Sequence, residues 1–183
     1  MTLPAIPLPC DLAMTEARLN LVDGTHALLS AAIAGPESLE ALLGASVAEG
    51  WAGFPEALPV IRATYEASPG VQAWGSLFFL EPEARALVGF GGFKGPPSPE
   101  GVVEIGYAIA PAFQRQGLAT DAVAQMVQRA FADPTIRAVD AHTLGNANPS
   151  TRVLEKSGFQ RIAEFHDPNE GAVWQWRRVR PAP

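Results

Sequence analysis

Glu104 is the side chain with the plainest chemical prospect. It lies within Val102–Ala110, two positions before Gly106 and between the apolar Val103 and Ile105. A carboxylate there can draw in an ammonium group and accept its proton through water; the same alternation also suits a solvent-facing strand position. Further along, Gln114-Arg115-Gln116-Gly117-Leu118-Ala119-Thr120 joins an apolar strand and Pro111 to a helix. Small residues at 117 and 119 let a ligand approach the backbone, or a helix pack tightly on a sheet. The first helical amides have no helical acceptor and point outward with the positive end of the dipole. A pyrophosphate satisfies such donors, and Arg115 adds a charge able to meet an outer phosphate. The run lacks both the Lys-Ser/Thr of a Walker loop and the glycine triplet of dinucleotide folds, which turns the expectation away from ATP and NAD.

A second cluster follows Asn146. Asn148 before Pro149 reads as a helix N-cap with proline at the first helical position, and Ser150 falls in the same first turn. Arg152 and Lys156, four apart, make a solvated helical face. Gly158 reads as a left-handed cap and Phe159 as the apolar residue after it. His26, His142 and His166 have neither metal-ligand spacing nor a nucleophilic partner, so no role is assigned to them and no metal is expected. Trp51, Trp74, Trp174 and Trp176 suit core and sheet packing or the wall of an acceptor pocket.

The elements that must hold these residues are readable from periodicity. Leu12–Val22 reads as a first strand, Asp23-Gly24 as a turn, and Thr25 as the cap of a helix carrying Leu28, Leu29, Ala32 and Ile33. Pro36 opens a second helix with Leu39, Leu42, Leu43 and Val47 on one face, and Leu58, Ile61 and Tyr65 outline a third. Val71–Leu80 and Ala86–Lys94 read as a hairpin. Then come a strand at Val102–Ala110, a helix at Gly117–Phe131 and a strand at Ala138–Leu144, an order that requires a crossover. A short helix at Pro149–Ser157 and strands near Phe159–Phe165 and Ala172–Val179 complete the chain.

With these elements in place, Gln114, Gly117 and Ala119 resemble the acetyl-CoA signature of the GNAT family of N-acetyltransferases, Gln or Arg-x-x-Gly-x-Gly or Ala between a strand and a long helix. Asn148–Phe159 resembles the second cofactor-side helix in the branch that includes ribosomal-protein N-terminal acetyltransferases. The resemblance covers about Leu87–Val179, the expected acetyl-CoA-binding core. Residues 1–70 follow only in loose element order and form the helix-rich acceptor-side portion. The resemblance implies an α/β fold of mixed α+β character, with a central twisted mixed sheet flanked by helices and splayed between its fourth and fifth strands. It implies acetyl-CoA as acyl donor, the backbone of Ile109 and Ala110 beside the pantetheine, and Gln114, Arg115, Gln116, Gly117, Leu118, Ala119 and Thr120 around the phosphates. It adds a pantetheine contact to Asn148, with Asn146 as the alternative because the family's Asn stands three residues before the Ser and Asn148 only two before Ser150. It sets the Ser150 hydroxyl near the thioester sulfur and Arg152 near the 3'-phosphate. Where many relatives carry a tyrosine acid this chain has Leu154, which leaves Tyr107 or solvent as the substitute.

The function implied is acetyl transfer to a primary amine, of a small molecule or a protein N-terminus, by direct attack in a ternary complex. A noncatalytic acyl-CoA sensor or interaction domain is the competing class. Composition is compatible with both: 183 residues, 48% hydrophobic and 17% charged, suit one packed domain over 1–183. A net charge of -6 opposes nonspecific adhesion to nucleic acid or anionic lipid. Cys10 is the only cysteine, so no internal disulfide forms. Met1–Cys10 lacks signal-peptide architecture and no run approaches the roughly 18 apolar residues of a membrane span. The expectation is a cytoplasmic protein without nucleic-acid or membrane partners, and a homodimer is compatible with it.

Overall fold

Buried Val103, Ile105 and Ile109 alternate with the less buried Glu104, Gly106 and Ala108 along Val102–Ile109, which gives that strand two unlike faces, and the sheet is built outward from it. The computed structural model describes residues 17–68 and 71–182. Its strands are β1 (Asn20–Asp23), β2 (Ser46–Val47), β3 (Ser76–Glu81), β4 (Ala86–Phe93), β5 (Val102–Ile109), β6 (Ala138–Leu144), β7 (Gln160–Asp167) and β8 (Gly171–Val179). The helices are α1 (His26–Ala34), α2 (Pro36–Leu43), α3 (Leu58–Ala67), α4 (Leu118–Ala132) and α5 (Pro149–Lys156). The spatial order is β1-β3-β4-β5-β6-β8-β7, with β2 beside β4. Pairing is antiparallel except at β5–β6 and the short β2–β4, and α4 supplies the crossover that the parallel β5–β6 step needs.

That step is also where the sheet opens. β5 and β6 pair from Val102↔Ala138 to Ile105↔Ala141. Beyond, Gly106–Ile109 stay with β4 while His142–Leu144 stay with β8. The result is a fork between the fourth and fifth strands in spatial order, as the resemblance implies.

Each face of the sheet has its own core. Leu118, Ala122, Val123, Met126 and Ala130 of α4 cover Val103, Ile105, Ile109, Val139 and Trp176. On the other face Leu28, Leu29, Leu39 and Tyr65 cover Phe78, Leu87 and Phe90, with Trp51 stacked on Phe78 at 5.4 Å. At roughly 1.5–3 kcal/mol per buried large apolar side chain, these two layers are the main force holding the fork's banks in place.

Three expectations are corrected. The first strand occupies Asn20–Asp23; the part expected over residues 12–16 lies outside the described residues. Val47 is not on a helical face: Gly44 in the left-handed region ends α2, and Val47 pairs with Leu87 as part of β2. The hairpin's first strand starts at Ser76, because Val71–Trp74 form a 3-10 turn. The buried Tyr65 hydroxyl accepts the Ser76 N–H at 2.6 Å and so pins that start.

Candidate active site

The turn before α4 is folded so that its amides face outward. Pro111–Phe113 form a 3-10 turn, and the Gln114 side chain donates back to the Ile109 carbonyl at 3.0 Å, tying the loop to the strand it leaves. Arg115 (φ 60°) and Gly117 (φ 85°) lie in the left-handed region. Gly117 is the N-cap of α4 and, lacking a side chain, offers no acceptor to the helix's first amides. Those N–H groups and the positive end of the helix dipole therefore meet whatever lies in front of them. Gln114, Arg115 and Gln116 are exposed, Ala119 and Thr120 half-buried, and Leu118 is buried in the core. This backbone, with no Cβ at 117 to obstruct it, fits a pyrophosphate.

An unexpected neighbour stands beside it. The Arg18 guanidinium donates to the Gln116 carbonyl, and a Cβ on Gly117 would lie 3.4 Å from it. The strap is fixed by Asp121, whose carboxylate accepts the Arg18 and Leu19 amides at 3.2 and 3.0 Å and Gln125 at 2.8 Å. Arg18 thus brings a second cation to the turn besides Arg115. No local pattern signals it, since the partners are separated by most of the chain.

Across the fork, α5 begins with a complete capping box. Asn148 Oδ1 accepts the Thr151 N–H at 3.1 Å, and Thr151 Oγ1 accepts the Asn148 N–H at 3.1 Å. The Asn148 amide nitrogen donates to the Asn146 carbonyl at 3.0 Å, so this side chain is engaged in the cap and Asn146 in the loop before it. Half-buried Ser150 follows, and Tyr107 reaches over from β5 to donate its hydroxyl to the Ser150 carbonyl at 3.4 Å. Burial pushes the Tyr107 phenol well up, against the smaller effect of that hydrogen bond, so it stays protonated. Leu154 is fully buried and Arg152 exposed.

The opposite face of β5 carries Glu104, Gly106 and Ala108, turned away from the α4 core. Glu104 Oε1 receives two partners, Lys94 Nζ at 2.6 Å and His142 Nδ1 at 2.8 Å. Burial pushes the carboxyl up, but the Lys94 and His142 contacts together outweigh it and hold it below the usual carboxylate range. The Lys94 stem crosses Gly106, whose Cβ, if present, would lie 3.4 Å from Lys94 Cε. Above it, Gly53 rests on Ala108 so closely that any side chain there would collide. His142 packs edge-on against Phe165 at 5.5 Å. Next along β6, buried Asp140 is held by Arg177 at 2.7 and 2.8 Å and by Gln175 at 2.9 Å.

The structure therefore brings Glu104 together with His142, to which sequence reasoning gave no role. A carboxylate and an imidazole on neighbouring parallel strands, 38 positions apart, give no local signal. Glu164 is engaged by the Trp174 indole at 2.6 Å, and Asp167 by the amides of its own turn. Among the described residues no group of three His, Cys, Asp or Glu side chains could hold a metal ion, and no helix is long and apolar enough to cross a membrane.

Comparison with known proteins bears on this geometry. Residues 40–160 match the family model described as acetyltransferase (GNAT) domain. The uncharacterized N-acetyltransferase YjdG of Bacillus subtilis (strain 168) is 28% identical over 106 residues, 58% of this chain and 63% of that protein. The chain thus spans under two thirds of the length of this curated relative. Among solved structures, the ribosomal-protein-S5-alanine acetyltransferase of Vibrio fischeri superposes with a TM-score of 0.65 at 14% identity, covering 92% of this chain and 97% of that one. A chimera of the spermidine N-acetyltransferase SpeG from Vibrio cholerae and hSSAT gives a TM-score of 0.64 at 13% identity, covering 88% and 95%. At these identities the two structures are likenesses of fold.

Proposed function

The chain belongs to the GNAT acetyltransferase domain family, and from that premise we propose that it transfers the acetyl group of acetyl-CoA to a primary amine by direct attack within a ternary complex. The observation that carries the reading is the start of α4, where uncapped amides and a left-handed Gly117 stand at the mouth of a fork in the sheet. Gln114 through Thr120 would hold the phosphates, with Arg115 beside them and Arg152 toward the 3'-phosphate. The Ile109 and Ala110 backbone would flank the pantetheine, along with Asn148 or Asn146. The coenzyme supplies the acetyl group as a thioester.

The residues of the chain supply the rest. Glu104, with His142 bonded to it, makes the acid–base group on the face beneath α1–α3, where an amine would enter. The Ser150 hydroxyl returns a proton toward the sulfur side, with the neutral Tyr107 phenol next to it. Holding amine and thioester in one fork contributes much of the rate by itself. The Asn148–Phe159 stretch and the fold likeness to a ribosomal-protein acetyltransferase support a protein N-terminus as acceptor; the likeness to a spermidine N-acetyltransferase supports a small amine.

The test is CoA-thiol release from acetyl-CoA with spermidine, simple primary amines and peptides bearing free N-termini. Release that requires an amine supports the enzyme; tight CoA binding without turnover assigns the chain to the sensor class instead. Ser150→Ala should lower kcat by about 100-fold with CoA affinity unchanged. An unaltered kcat there, with the loss appearing in Tyr107→Phe, moves the acid to the phenol.

A further inference from the structure

Resting on that acetyl-transfer reading, we propose that the proton of the incoming amine is taken by His142 Nε2, and that Glu104 is the positioning residue that holds the ring and balances its charge. The hydrogen-bond pattern fixes the tautomer. An ionised carboxylate only accepts, so the contact between His142 Nδ1 and Glu104 Oε1 at 2.8 Å puts the hydrogen on Nδ1. In a neutral imidazole the lone pair is then on Nε2. Lys94, at 2.6 Å from the same Oε1, keeps Glu104 ionised. A proton landing on that carboxylate would have to weaken the Lys94 pair, whereas a proton landing on the ring creates an imidazolium facing an anion. A carboxylate held below its usual range is a poorer base and a better partner for a cation.

Position agrees with the chemistry. Ile105↔Ala141 is the last paired position of β5 and β6, and His142 is the first residue past it, so its ring stands where the fork opens. Glu104 on β5, and through it Lys94 just past the end of β4, are the charged groups gathered beside it. From β8 its cross-strand neighbour is the neutral Gln175, and from β7 it meets the apolar edge of Phe165. Asp140, on the same face of β6, is already taken by Arg177 and Gln175. The arrangement follows the logic by which a carboxylate orients a catalytic imidazole. An ammonium nitrogen sheds two protons on becoming an amide. One passes to Nε2 and from there to solvent. The nitrogen lone pair forms the bond to the acetyl carbon, the carbon–sulfur bond breaks with its electrons on sulfur, and the second proton ends on the thiol.

His142→Asn separates a catalytic ring from a structural one, because the Asn amide can still donate to Glu104 while Nε2 is gone. With acetyl-CoA and the panel's best amine, kcat should fall about 100-fold or more. The KM for acetyl-CoA should stay within about twofold and the pH–rate profile should shift to alkaline pH, where the amine deprotonates unaided. A kcat within about threefold of wild type, with an unchanged profile, overturns the proposal. Nitrogen-15 NMR of the imidazole requires no turnover and no variant: the neutral ring should carry its hydrogen on Nδ1, and an Nε2–H tautomer overturns the assignment. A wild-type chain that releases no thiol with any amine defeats the acetyl-transfer reading, and this proposal with it. Active wild type alongside an equally active His142→Asn defeats this proposal alone.

Discussion

Glu104 joins Lys94 and His142, and this gives it a pH signature independent of catalysis. Its proton affinity is lower in the folded chain than in the unfolded one. Such a group stabilises the fold above the ordinary glutamate range, near 4.3, and loses that contribution as pH falls through its lowered folded value. Wild type should therefore melt above Glu104→Gln at neutral pH, and the two melting curves should converge as pH is taken below the ordinary glutamate range. A gap that persists unchanged into acid would mean that the pair with Lys94 contributes nothing. Glu104 was readable as a candidate because its type and place within an apolar strand are local facts. Its partners were not, since Lys94 and His142 reach it only once three strands are side by side.

Elements with strong punctuation were legible, and those decided by tertiary contact were not. The Gly117 turn, the α4 face and the Asn148-Pro149 start of α5 announce themselves through residues whose backbone preferences leave few alternatives. Val71–Trp74 carries Val and Trp, which favour strands, yet it turns because Tyr65 claims the amide of Ser76. Ser46–Val47 is too short to show a period and becomes a strand only against Ala86 and Leu87. Two substitutions probe the turns that open α5 and α4. Asn148→Ala should cost about 1 kcal/mol of stability through loss of the cap, seen as a lower denaturant midpoint. Gly117→Ala should cost about 1–2 kcal/mol through the left-handed strain and should also weaken CoA, because a Cβ would stand among the donors and beside Arg18. Equal CoA affinity in Gly117→Ala and wild type, measured by calorimetry, would remove the turn from the phosphate site.

At the scale of the whole molecule, the two banks of the fork share the core beneath α4 but share strand pairing only as far as Ile105 and Ala141. An acidic chain with net charge -6 gives no long-range help to a polyanion, so retention must come from local donors on one bank and a bridge to the other. A ligand bound only by the native state adds about 2.7 kcal/mol at a hundredfold excess over its Kd. For a chain of this size that is a rise in Tm of roughly 5–10 °C. If the coenzyme spans the fork, the gain has a map as well as a magnitude. Amide hydrogen exchange should slow at 107–109 on β5 and at Ala110 just after it, at 118–120 at the start of α4, and near 148–151 on the far bank, while α2 stays unchanged. Protection confined to 118–120 would mean that only the phosphates are held, and the acetyl end would then have no fixed place relative to Glu104 and His142. Protection on both banks would tie the turn to the carboxylate and imidazole as parts of one site.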